Sequence, residues 1–72
     1  MPDNAVAIVL TFSEASALFE AANVGLYRRS ELGQRSNNNA IEALLKMARG
    51  MGRRAEVSGP TVLLMPIADK NS

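Results

Sequence analysis

The side chains that most often carry catalysis are missing from this chain, which contains neither histidine nor cysteine. Serine–histidine and cysteine–histidine nucleophiles, thiolate zinc sites and imidazole ligands are therefore impossible within one copy. Seven carboxylates remain, and the chemistry open to them is general acid and base work by a pair sharing one pocket. Glu14 and Glu42 each stand three residues after a capping residue, Thr11 and Asn39, the reciprocal arrangement of a capping box. Asp3 and Asp69 lie near the ends of the chain. No spacing gathers Glu20, Glu31 and Glu56 into one pocket, and only a pairing across a subunit boundary would do so. The reading is of a protein that is not an enzyme and carries no metal or cofactor.

Gly50-Met51-Gly52-Arg53-Arg54-Ala55 has the letters of the G-x-G-x-x-G/A dinucleotide fingerprint. That fingerprint must follow a strand and open a helix. Here the apolar spacing makes it close a helix instead, so helix termination explains the glycines.

The cations have the strongest pattern. Formal net charge is only +1 and the sequence pI is about 8.3, below the value above 9 usual for a DNA-binding domain. Yet residues 28–54 hold Arg28, Arg29, Arg35, Lys46, Arg49, Arg53 and Arg54 against Glu31 and Glu42 alone. Arginine forks suit carboxylate and phosphate recognition, while arginines at helix C-termini also offset the helix dipole. A helix hairpin would place Arg53 and Arg54 at the opposite end from the loop that carries Arg35, and a two-fold axis could reunite them. Tyr27 is the residue suited to base stacking. Asn37 and Asn38, in the run Ser36–Asn39, suit turns and caps and also contact with an anion or a base. Tyr27, Arg28, Arg29, Arg35, Asn37, Asn38, Arg53 and Arg54 are thus the expected partner- or anion-binding residues, with the stretch Tyr27–Asn39 foremost.

Five elements must position these groups. Ala5-Val6-Ala7-Ile8-Val9-Leu10 is a continuous apolar run rich in β-branched residues and predicts a strand at 5–10 buried on both faces. Phe12, Ala15, Phe19, Ala22 and Leu26 recur at spacings of three and four behind the Thr11 cap, predicting a helix at 12–28. Residues 30–39 are polar and aperiodic and read as a loop. Ile41, Leu44, Leu45, Ala48 and Met51 predict a helix at 40–51 capped by Asn39, with Glu42 and Lys46 paired on its outer side. Alternation at 54–57 predicts a short strand, Ser58-Gly59-Pro60 a turn, and Thr61–Met65 a second apolar strand reaching 66. A frayed tail is expected at 68–72.

This order predicts an α+β fold, one β-α-α-β-β domain over residues 1–72. Strands 5–10 and 61–66 would be antiparallel neighbours, with an αα-hairpin packed on one sheet face. Both strands are apolar at odd and even positions, so the second face is expected to be buried by homo-oligomerisation, most simply as a dimer. Seventy-two residues give too small a core for comfort, and without disulfides or metals self-association is the reinforcement left. The six-residue apolar run is short of a secretory leader's core and far short of a membrane span. A cytoplasmic location is expected. Small size, absent catalytic residues and an apolar self-association face resemble, in general style, the accessory proteins of phages and other mobile elements. The resemblance implies an inhibitor or regulator that binds a protein partner; the alternative is a module binding a nucleotide or nucleic acid.

Overall fold

The computed structural model describes residues 4–65, so the expected tail at 68–72 lies outside them. Four elements follow in order: α1 (Phe12–Glu31), α2 (Asn38–Gly50), β1 (Ala55–Ser58) and β2 (Thr61–Leu64). The class is α+β, with an antiparallel two-stranded sheet.

Helix α1 begins where its cap dictates. The Thr11 amide donates to Glu14 Oε1 at 2.9 Å, and the Glu14 amide donates to Thr11 Oγ1 at 3.1 Å, so two amides left over by the helix geometry find partners. At the other end the helix runs past residue 28 and takes in the start of the expected loop. It stops where Gly33 adopts φ 68°, a left-handed conformation that glycine enters without a steric penalty. There the amides of Leu32, Gly33 and Gln34 donate to the carbonyls of Arg28, Ser30 and Arg29 at 3.0, 3.0 and 2.8 Å, satisfying the last turn.

Helix α2 starts earlier than expected. Asn37, not Asn39, is the cap, its side chain accepting from the Ala40 amide at 3.2 Å. The connection between the helices accordingly shrinks to residues 32–37. The start of α1 and the end of α2 line one cleft, so the two helices run antiparallel. Phe19 and Leu26 of α1, Leu44 and Ala48 of α2, and Val62 of β2 form the buried cluster, with Ile41, Leu45, Ala55 and Leu64 packed against it. This joins the expected stripe of each helix into one core, although Phe12 and Leu18 remain exposed.

The hairpin β1–β2 pairs Ser58 with Thr61, Val57 with Val62, Glu56 with Leu63 and Ala55 with Leu64. Its two-residue loop is Gly59-Pro60. Gly59 has φ 58° and proline holds φ negative, which excludes a type I′ turn and matches type II′, one of the turns whose twist suits a hairpin. Val62 is fully buried whereas Leu63 is 49% exposed. Leu63 lies among Glu56, Ser58 and Thr61 on its side of the sheet, so the apolar surface offered there is small.

The expected strand at 5–10 is a correction. These residues form no strand and are exposed. The place it was expected to fill, beside β2, is occupied by a side chain of α1. Asn23 Nδ2 donates to the Val62 carbonyl at 2.7 Å, and the Val62 amide donates to Asn23 Oδ1 at 2.9 Å. A single amide thus makes both bonds that a neighbouring strand residue would make, and the β2 edge is closed at its centre.

Candidate protein-binding surface

The connection between the helices is held by Arg29. Its half-buried side chain turns back from the last turn of α1, and Nε and Nη2 both donate to the carbonyl of Arg35, at 2.9 and 2.6 Å. Such a charge-assisted fork contributes more than a neutral hydrogen bond. It fixes residues 32–37 against the end of α1, and Gly33 supplies the sharp reversal that makes the return possible.

At this end of the helix pair the side chains of Tyr27, Arg28, Leu32, Arg35 and Asn38 are exposed. Tyr27 is 55% exposed and Leu32 59%. Glu31 is exposed in the same final turn of α1. The pole is therefore amphipathic, with a phenol, a leucine, two guanidinium groups and a carboxylate on a pinned connection. Asn37 sits there as well, with its side-chain oxygen committed to the cap.

The other two expected residues are elsewhere. Arg53 and Arg54 follow the C-terminus of α2, at the pole where α1 begins, and the structure does not bring them to Arg28 and Arg35. Arg53 is half-buried, with Nη2 donating to the Met65 carbonyl at 2.6 Å. Its Nε is buried with no hydrogen-bond partner among the described residues. Arg53 thus ties the end of β2 to the end of α2. Arg54 is exposed, while its carbonyl accepts from the Met65 amide at 2.7 Å. Of the eight expected residues, Arg29, Asn37 and Arg53 hold the fold, Tyr27, Arg28, Arg35 and Asn38 are exposed at the pole of the inter-helix connection, and Arg54 is exposed at the other pole.

Asn23 escaped the sequence reading as a site element, since its signal was only a polar residue flanking the buried stripe of α1. The arm 4–10, expected as a strand at a subunit contact, is instead an exposed segment in which Val6 is 84% exposed and Val9 98%. Beside it, Val6, Ile8, Val9, Leu10 and Phe12 line a cleft of about 610 Å³ closed on its far side by Lys46, Met47 and Met51. A more open groove of about 530 Å³ lies between α1 and β2 at Asn23, Val24 and Leu63. Neither cleft gathers a set of converging charged groups. Among the described residues no cluster of carboxylates could hold a metal ion, and no helix is long and apolar enough to cross a membrane. Comparison with protein-family models, curated proteins and solved structures found no match.

Proposed function

We propose that the chain is a small non-enzymatic protein-binding inhibitor or regulator, working as a homo-oligomer and occupying a partner protein's surface with the pole around Tyr27, Arg28, Leu32, Arg35 and Asn38. The observation that carries this reading is the Arg29 fork on the Arg35 carbonyl. It orders the connection before any partner arrives, and ordering a loop in advance removes an entropic cost of binding. Tyrosine and arginine are the residue types enriched at protein–protein hot spots, and an exposed leucine beside them supplies apolar area. A nucleic-acid surface would favour cations without Glu31 among them, and would gain from Arg53 and Arg54 at the same pole. The separation of the two arginine groups supports the protein reading over the anion-binding one.

The test begins by capturing a partner from the source cell with the tagged full-length chain and repeating the binding with both proteins purified. Tyr27→Ala, Arg28→Ala and Arg35→Ala are each expected to weaken that binding by about 1 kcal/mol or more, roughly the range for hydrogen bonds to charged groups, with melting nearly unchanged. Arg29→Ala should weaken binding and also loosen the connection. Parent-like binding by the triple Tyr27, Arg28 and Arg35 variant would overturn the assignment. Tight binding of a single-stranded oligonucleotide that falls steeply with salt would instead favour the anion-binding alternative.

A further inference from the structure

The sheet has two edges, and the chain treats them differently. The Met65 amide bonds the Arg54 carbonyl, and Val62 directs both of its backbone groups to Asn23. Together these fix the phase of the ladder, because in an antiparallel pair bonded and non-bonded residue pairs alternate. Ala55 with Leu64 and Val57 with Val62 are the non-bonded pairs. The N–H and C=O groups of Ala55 and Val57 therefore project from the outer edge of β1, and among the described residues none of them has a hydrogen-bond partner. The β2 edge is plugged by Asn23. The β1 edge has neither a proline nor a lysine to discourage pairing, which are common protections of exposed edges.

The same molecule carries a segment of strand composition that is not paired. Ala5–Leu10 has the composition of a central strand, Val6, Ile8 and Val9 are exposed, and none of its backbone groups is bonded among the described residues. Six extended residues span roughly 20 Å, more than the four residues of β1 require. The arm leaves from the cap of α1, a helix that touches α2 and β2 but not β1. Its own β1 edge is thus on the far side of its own sheet, and within its own copy the arm lies along the end of α2.

We propose that Ala5–Leu10 of one copy adds as a third strand to the open β1 edge of a second copy, reciprocally, so that two copies exchange arms. The proposal rests on the homo-oligomeric reading above and names the contact that produces it. Arm addition would bury the most exposed large apolar side chains among the described residues, satisfy the free groups of Ala55 and Val57, and raise each sheet to three strands, the number at which a sheet ceases to be marginal. The contact is isologous, since each copy gives an arm and receives one.

Light scattering should return twice the 7.7 kDa of one chain at high micromolar concentration. Val57→Pro removes an edge N–H that β2 does not use, so it should halve the mass while keeping the hairpin, with a circular-dichroism melt at high concentration equal to that of the dilute, monomeric parent. The double variant Ile8→Pro with Val9→Pro removes an arm N–H in whichever phase the arm pairs, and should also give monomers. Mixing the two variants should restore an unlike pair, because one supplies a sound arm and the other a sound edge. A second measurement bypasses any loss of fold. The chain has no native cysteine, so copies carrying Val6→Cys, Ala7→Cys, Ile8→Cys, Val9→Cys or Leu10→Cys, which cover both phases of the arm, can be oxidised against copies carrying Val57→Cys, with unlike crosslinked pairs expected from one phase. A monomeric parent would overturn both the exchange and the homo-oligomeric reading. A dimer that survives both sets of prolines, or the absence of unlike pairs in the mixing and crosslinking experiments, would overturn the exchange alone.

Discussion

At the scale of single residues, asparagine does work in this chain that its position only partly advertises. Asn23 closes the β2 edge with two hydrogen bonds to Val62, and a half-buried pair of this kind contributes about 1–3 kcal/mol. Asn23→Leu, similar in volume but without the amide, should lower stability by that amount in a urea melt and speed hydrogen exchange at the Val62 amide. An unchanged melt would show that the edge needs no plug. The caps give a second contrast. Thr11→Ala and Asn37→Ala should each cost about 0.5–2 kcal/mol, whereas Asn39→Ala, inside the first turn of α2, should leave the melt nearly unchanged. The Thr11 box was readable because all of its information is local: a hydroxyl, a carboxylate three residues on, and an apolar stripe behind them. Asn37, Asn38 and Asn39 are three equivalent candidates in a row. What selects the first is the route of the incoming chain, set by Gly33 and by the Arg29 clamp, and no local pattern reports a contact six residues apart.

Among the elements, the two helices and the hairpin were legible from periodicity and turn chemistry, because the same residues that set the period also form the core: Phe19, Leu26, Leu44, Ala48 and Val62. The run Ala5–Leu10 was legible as strand material but not as a strand. Composition reports that a segment is fit to pair, and pairing also needs a free edge within reach. Asn23 removes the nearest one. The polarity of the outer sheet side was hidden for a related reason, since β2 alone reads as apolar throughout and only the register with Glu56 and Ser58 shows what accompanies Leu63. The hairpin itself makes a prediction. Gly59 holds φ 58° with nothing near its missing Cβ, so Gly59→Ala meets backbone strain and no steric clash. A left-handed non-glycine residue costs roughly 1–2 kcal/mol, and the variant's thermal melt should fall accordingly. A melt equal to the parent's would mean that the turn relaxes to another type.

For the molecule as a whole, the balance between buried and exposed apolar residues is the governing fact. The buried hydrophobics among the described residues are Ala15, Phe19, Leu26, Leu44, Ala48 and Val62, while Val6, Ile8, Val9, Phe12, Val24 and Tyr27 are all more than half exposed. A core of this size seldom supplies more than about 3–5 kcal/mol. Leu44→Ala, which removes a side chain 2% exposed, should cost about 2–5 kcal/mol. It is therefore expected to unfold the chain when dilute and to be partly rescued at high concentration, where assembly adds stability by mass action. If the arm pairs only outside its own copy, its amides and those of the β1 edge must gain protection together. Amide hydrogen exchange across Val6–Leu10 and at Ala55 and Val57 can be followed from nanomolar to high micromolar protein. Fast exchange is expected at all these amides in dilute protein, with protection that rises at arm and edge together as concentration increases. Fast exchange at every concentration, or protection already complete in the dilute monomer, would contradict pairing between copies.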